Sequence, residues 1–545
     1  MSMGRARGVV LFGMDGHLIE VEADIGRALP GFILLGLPDA SMRESQDRIR
    51  SAAKNTGIDL PARRLTVNLL PASLPKSGSV LDLAILISAW AADGKVHRTS
   101  EVVFLAELGL DGRLRPVRGV LPAVAAAQAA GAQTVVVAQE NAQEAALVPG
   151  MEVLAGSHVR QAAASFASAA LEPLVRDAPG LERWSADRSR EAPALVDPSQ
   201  PARSPQVCSA DLRGEVDDDR PLSCDPAPDL AEVRGQQEAR FALELAAAGG
   251  HHLLLIGAPG AGKTMLAERM SGILPPLDDQ AAMEATAIES ISAEPRTVTR
   301  LRRTPPFQAP HHSASMAAIV GGGARIARPG AVTRAHRGVL FLDEAPEFPR
   351  HALDALRQPL ETGRISLHRS AGSVTYPARF QLVLAANPCP CGLNVGAGTG
   401  CRCSVAQRRN YMARLSGPLL DRIDLQIQVD RPRSAADALG PPGESSAVVR
   451  ARVLDARAAQ RERLRLWGLR TNSQAPMQLL TGDLRLPAGA TRHIDAALDR
   501  AAISLRGYLR VLRLAWTIAD LMHNDRPGAD EVDAALQLRQ RSHKT

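Results

Sequence analysis

The sequence predicts an α/β fold, a parallel sheet with helices on both faces, followed by a small helical domain and preceded by a separate α+β domain. Three observations predict it. From Leu230 short apolar strands alternate with helical runs, the order that gives a parallel sheet covered on both sides. One of these strands, Leu253–Ile256, passes directly into the glycine-rich loop Gly257-Ala-Pro-Gly-Ala-Gly-Lys-Thr264 and then into a helical run. From about residue 446 the periodicity is helical only.

At 545 residues the chain is too long for one hydrophobic core, so two or three domains are expected. Apolar residues make up 45% and charged residues 22%, a globular balance. Aromatics at 3% argue against base stacking as the main binding device. The net charge of +6, carried largely by arginine, suits a polyanionic partner, although an Ala- and Arg-rich composition accounts for it equally well. The opening MSMGRARGVVLFGMDGHLIE has its apolar run broken at Asp15 and carries no secretory signal. The most apolar stretch, Leu81–Ala92, contains Asp82 and falls short of the roughly 20 residues of a bilayer span. A cytoplasmic protein with no membrane partner is therefore expected. The 6 cysteines are too few for a disulfide framework in so long a chain.

The N-terminal domain, residues 1–171, mixes short β-rich runs with Ala-rich helical ones: strands at Arg64–Leu70 and Thr134–Val137, helices at Ser41–Asn55 and Leu121–Ala130. Residues 172–228 are rich in Pro, Asp and Ser with little periodicity and read as a flexible linker, in which Cys208 and Cys224 have no evident role. The α/β core occupies 229–432. The helical domain, 433–545, carries helices over Ala447–Arg463, Ala490–Ala502, Arg506–Leu521 and Ala529–Arg539.

Gly257–Thr264 is a complete phosphate loop in its strand–loop–helix setting. The run Gly257, Ala258, Pro259, Gly260, Ala261, Gly262 lets the backbone turn its N–H groups inward at a helix N-terminus. Lys263 reaches the β- and γ-phosphates, and the Thr264 hydroxyl is placed for Mg²⁺. The strand in Gly338-Val-Leu-Phe-Leu-Asp-Glu344 ends in two carboxylates at the edge where open α/β sheets bind ligands. Asp343 is expected to hold Mg²⁺ through water, and Glu344 to orient the attacking water. A further strand, Phe380–Ala386, ends in Asn387, whose amide can position that water near the γ-phosphate. ATP and Mg²⁺ are thus the expected cofactors. Phosphoryl transfer also needs positive charge on the transferring phosphate, for which Arg422 and Arg506 are candidates.

Cys389-Pro-Cys391 and Cys401-Arg-Cys403 form two C-x-C pairs 9 residues apart, able to close a tetrahedral structural zinc site or to remain free thiols. His311 and His312 are adjacent, which is not a metal-ligand spacing on a helix or strand; a loop contact or packing explains them as well as catalysis.

Together Gly257–Thr264, Gln308-Ala-Pro-His-His-Ser313, Gly338–Phe348, Asn387-Pro-Cys-Pro-Cys-Gly392 and Gly417-Pro-Leu-Leu-Asp-Arg-Ile-Asp424 resemble the magnesium-chelatase-like AAA+ ATPases, specifically the ComM/YifB group. The likeness covers nearly the whole chain outside the linker. It implies an ATP-hydrolysing homo-oligomeric ring, most often a hexamer, with Arg422 as the finger reaching a neighbour's site and Arg506, or else Arg510, as the second sensor in the helical lid. It also implies a DNA motor, a helicase driving branch migration in recombination or DNA uptake. The hairpin around Arg364, His368 and Arg369 is then the candidate DNA contact. Residues 1–171 resemble the proteolytic-domain fold of Lon-type proteases. There the position matching the catalytic Ser is Val80 and that matching the Lys is Ala123, which leaves a non-catalytic domain. A chelatase-type motor that remodels a protein partner is the alternative function, and an ATP-dependent protease the least favoured.

Overall fold

The computed structural model describes residues 3–27, 29–36, 40–74, 76, 78–185, 228–292, 298–323, 327–369, 372–394, 400–431 and 440–540. Cys208, Cys224 and most of the expected linker lie outside these residues.

The N-terminal domain is a mixed eight-stranded sheet in the order Glu182–Trp184, Glu152–Gly156, Thr134–Ala138, Val102–Leu105, Gly4–Phe12, Asp15–Gly26, Arg64–Leu70, Gly31–Leu35. The long antiparallel pair Gly4–Phe12 and Asp15–Gly26 lies near its centre. Alternate residues Ile19, Val21 and Ala23 are buried, and Asp15, His17, Glu20 and Glu22 take the other face or the edge, the period-2 pattern of a half-covered strand. The helix Asp82–Ala92 packs on this sheet and is buried almost all round. Its Asp82 is wholly buried. It accepts hydrogen bonds from Arg48. Burial pushes its carboxyl up to about 6, against the pull of Arg48 and Ser45.

One boundary is corrected. Glu172–Val175 is helical and Glu182–Trp184 pairs antiparallel with Glu152–Gly156, so 172–184 completes the edge of the N-terminal sheet rather than starting a linker. Three residues on a sheet edge carry too little periodicity to be read from sequence.

The second domain is a five-stranded parallel sheet ordered Phe307–Gln308, Val339–Leu342, Gln381–Ala386, Leu253–Ile256, Leu425–Gln428. Its inner strands are continuous apolar runs because helices cover both faces. Helix Gln237–Gly249 and the C-terminal helices bury one face with Leu253, Leu255, Phe341 and Val383. Leu254, Leu340, Leu342 and Leu384 belong to the opposite core. The hairpin Arg364–Arg369 with Gly372–Pro377 forms a separate two-stranded ribbon, its Ile365, Leu367, Val374 and Tyr376 packed on that second core.

Helices Ser446–Leu464, Met477–Thr481, Ala488–Asp499, Leu505–Leu521 and Ala529–Gln540 make up the C-terminal helical part. Leu505–Leu521 is its central element, with Val511, Leu514, Ala515 and Ile518 inward. Among the described residues the N-terminal domain touches the core at the following places. Glu144 accepts hydrogen bonds from Leu121 N–H at 3.0 Å and from the Ser290 hydroxyl, and Gly119 N–H donates to Ser290 O at 3.1 Å. At the second place, a Cβ added to Gly13 would lie 2.3 Å from Val374 Cγ1 of the ribbon, so backbone and side chain meet closely there. No described helix is long and apolar enough to cross a membrane.

Candidate nucleotide site

The three central strands of the parallel sheet end on one edge, and each delivers its candidate side chains there. After Leu253–Ile256 the chain turns through Gly257–Gly262. Gly260 and Gly262 sit at φ 75° and 88°, a region a Cβ disfavours. Gly257 is pinned by space as well: a Cβ would come 2.3 Å from Val429 O. The turn ends at helix Lys263–Glu268.

Lys263 is buried, with Nζ donating to Gly257 O at 2.6 Å, Ala258 O at 3.0 Å and Asn387 Oδ1 at 3.1 Å. Burial lowers its pKa, opposed by Asp343 and Glu344. The Thr264 hydroxyl donates to Asp343 Oδ2 at 2.6 Å. A hydroxyl and a carboxylate in contact at a phosphate loop are the oxygen donors that would hold Mg²⁺ there. Val339–Leu342 leads to Asp343, whose Oδ1 accepts from Glu344 N–H at 2.8 Å, and Glu344 adopts φ 49°. A non-glycine residue in that region is uncommon. Gln381–Ala386 leads to Asn387. Lys263, Thr264, Asp343, Glu344 and Asn387 thus lie together on this edge.

Two residues of this edge, Gln236 and Arg431, are not singled out by the sequence, and a third, His312, reads there as a loop contact or packing as readily as a catalytic group. His312, in the loop after Phe307–Gln308, places Nδ1 3.2 Å from Glu344 Oε2. Its ring meets His311 at 4.1 Å and Phe348 at 6.5 Å. Gln236 opens helix Gln237–Gly249 at φ 48° and donates Nε2 to Ala261 O at 2.7 Å. Arg431, just past the Leu425–Gln428 strand, donates Nε to Pro259 O at 3.0 Å. The only signal for these is position: each lies within a few residues of a strand or helix end on this edge.

The arginine candidates occupy another surface. Arg422 follows helix Gly417–Leu420, donates to Pro418 O and pairs with Glu361. Neighbouring Arg357, Arg506 and Arg510, after burial, lower its pKa. Among the described residues none of its contacts is to Lys263, Asp343 or Glu344. Arg506 is largely exposed, 3.5 Å from Asp421. Arg510, one helical turn on, is half-buried and donates to Arg422 O at 3.0 Å and to Asp424. Asp424 is buried; that would raise its pKa, but Arg510 and His251 pull it well below the usual range. In the ribbon, Arg364 and His368 face outward; the Arg369 side chain lies outside the described residues.

The four cysteines lie together. Cys389 Sγ is 3.3 Å from Cys391 Sγ and 3.7 Å from Cys401 Sγ, and Cys391 to Cys401 is also 3.7 Å. All four sulfurs, Cys403 included, lie within 4.8 Å of one another, a possible metal site.

In the N-terminal domain Val80 and Ala123 line the same apolar cleft of about 150 Å³, together with Val9, Leu11 and Leu105. Lys76 is buried and donates to Pro71 O, and Ser79 donates to Glu107, so neither addresses the other.

Residues 229–437 match the family described as magnesium chelatase, subunit ChlI; 21–141 match subunit ChlI of Mg-chelatase, and 443–539 its C-terminal region. An uncharacterised protein of Mycobacterium tuberculosis is 47% identical over 542 residues, covering 99% of both chains. YifB of Escherichia coli is 38% identical over 548 residues, covering 99% of this chain and 97% of its own. Competence protein ComM of Haemophilus influenzae is 40% identical over 512 residues, covering 93% and 92%. The chain belongs to the ComM/YifB group of magnesium-chelatase-like AAA+ proteins. The AAA+ core of this group is therefore the parallel-sheet domain, and its phosphate-loop edge is the site described above.

Proposed function

We propose that the protein hydrolyses ATP with Mg²⁺ at the edge formed by Gly257–Thr264, Asp343, Glu344 and Asn387, and uses the energy to move DNA through a homo-oligomeric ring. The observation that carries the ATPase reading is the Thr264–Asp343 contact at 2.6 Å beside Lys263, because it joins the Mg²⁺ ligand pair to the phosphate lysine. Lys263 and the loop amides take the β- and γ-phosphates, Glu344 polarises the attacking water, and Asn387 fixes its place. Arg422, turned away from its own site, acts in a neighbour's, and Arg506 serves as lid sensor. This supports a ring, with a hexamer as the proposed number. The four cysteines supply a zinc site.

DNA as substrate is supported by three features: the net charge of +6, the outward Arg364 and His368 on the ribbon, and the name competence protein borne by the Haemophilus influenzae relative. A helicase acting on branched DNA is the specific form proposed. The magnesium-chelatase family match favours a second reading, a motor remodelling a protein partner. Protease activity is not proposed, since Val80 and Ala123 offer neither nucleophile nor amine.

ATPase rates with and without single-stranded or branched DNA separate the readings. Strong stimulation supports the DNA motor, and none shifts the weight to a protein substrate. Charge reversal at Arg364 and Arg369 is expected to weaken DNA binding about tenfold and to lower its salt dependence, with ATP binding intact. Unchanged DNA affinity removes the ribbon from the interface.

A further inference from the structure

The cysteine quartet is built into the nucleotide site. A tetrahedral metal with metal–sulfur bonds of about 2.3 Å sets its sulfurs roughly 3.75 Å apart, and two of the Sγ separations here are 3.7 Å. Cys389 and Cys391 stand closer, at 3.3 Å, and Cys403 lies within 4.8 Å of the other three, so the donor set reaches the geometry of Zn²⁺ with small shifts of the sulfurs. Two arms lead from this cluster to the same residue.

The first arm is short. Cys389 is fully buried and stands two positions after Asn387, the residue that accepts from Lys263. The turn from Cys389 is closed by Gly392 N–H donating to Cys389 O at 2.9 Å, with Gly392 at φ 75°. A Cβ on Gly392 would stand 2.5 Å from Cδ and 2.6 Å from Cγ of Pro259, so the turn rests directly on the phosphate loop. The other side of Pro259 is held by Arg431.

The second arm starts at Cys403. Ser404 caps helix Val405–Met412 with a reciprocal capping box to Gln407. The helix brings Tyr411 into the interior, where its hydroxyl sits beside the Asn387 backbone amide. Arg408 of the same helix donates to Asn394 Oδ1 at 2.8 Å and so ties the helix back to the turn.

We propose that the four thiolates bind one Zn²⁺ whose task is to position catalysis: it locks the Cys389–Gly392 turn against Pro259 and holds Asn387 in register with Lys263. This inference rests on the nucleotide reading of the site. The metal does no chemistry. Without it, a single main-chain hydrogen bond among the described residues closes the turn, and the phosphate loop loses a wall. A misplacement of about 1 Å at such a residue can cost about 100-fold in rate. Binding of ATP rests mainly on the loop amides and Lys263 and is expected to change far less.

The test uses the full-length protein. Metal analysis should find about one zinc per chain. Replacing it with Co²⁺ should give the visible absorption of a tetrahedral thiolate site. Stripping with a zinc-selective chelator in excess Mg²⁺ should lower kcat roughly 10- to 100-fold, with the ATP-analogue Kd shifting about threefold or less, and zinc re-addition should restore the rate. Cys403→Ser should reproduce the kcat loss. Because the chelator arm works on the native chain, a misfolded variant leaves the result readable. Absence of zinc, or a kcat indifferent to its removal, overturns the proposal. Failure of the untreated zinc-loaded protein to hydrolyse ATP overturns the nucleotide reading and this inference with it, whereas hydrolysis that survives stripping overturns this inference alone.

Discussion

His312 holds the Glu344 carboxylate, with Nδ1 3.2 Å from Oε2. The contact joins the loop after the edge strand to the residue that would polarise water. It makes the reactivity of Glu344 depend on a neighbouring strand. Both side chains are partly exposed, so the pair is worth no more than about 1 kcal/mol. His312→Ala should therefore raise the unstimulated ATPase rate a few-fold, by about 2- to 5-fold, and narrow its stimulation by DNA. Steady-state kinetics on both proteins checks this; an unchanged ratio of stimulated to basal rate removes His312 from control of Glu344.

Arg422 makes no contact with its own chain's phosphate loop among the described residues, and Arg510 donates to its carbonyl at 3.0 Å. An arginine finger is worth about 10³–10⁵ in rate. Arg422→Ala is expected to lose nearly all turnover, as is Glu344→Gln. Mixing the two proteins should restore part of the activity, because a ring then contains sites with an intact Glu344 from one chain and an intact Arg422 from the other. If the mixture stays inactive while gel filtration shows mixed rings, Arg422 does not act across the interface.

The core beneath the site gives a pH dependence. His252 Nδ1 accepts the Leu382 N–H at 3.0 Å, which requires the neutral ring. Burial, with Arg510 and His251 adding to it, holds its pKa down to about 4, despite Asp424. In the unfolded chain a histidine titrates near about 6.5. Between these values the unfolded chain binds more protons, so stability should fall as pH drops from about 6.5 toward 4. Replacing His252 with Asn, which offers an acceptor but does not titrate, should flatten that slope in thermal unfolding series. An equal slope in both proteins assigns the dependence elsewhere.

The nucleotide edge was legible in the sequence because each of its parts is written locally. Leu253–Ile256 ends at a loop whose glycines announce it, and Val339–Leu342 and Gln381–Ala386 are uninterrupted apolar runs ending in Asp343–Glu344 and Asn387. The four long helices of the C-terminal part were legible to within three residues for the same reason, whereas the short helix Met477–Thr481 was not. What stayed hidden is tertiary. Phe307–Gln308 is too short to show a period, so the strand that aims His312 could not be found. In the strand Gly4–Phe12 the alternation is lost where Gly8, Val9 and Val10 are all buried. The seating of Gly392 on Pro259 joins segments more than a hundred residues apart, and neither carries a sign of the other.

The most direct test of the account is Glu344→Gln compared with the native protein, in ATP binding and in turnover. The substitution keeps size and hydrogen bonding but removes the carboxylate that polarises water. The account predicts that ATP still binds, with Mg²⁺ dependence through Thr264 and Asp343, while kcat falls at least about 100-fold. A Glu344→Gln protein that turns over ATP at the native rate would contradict it.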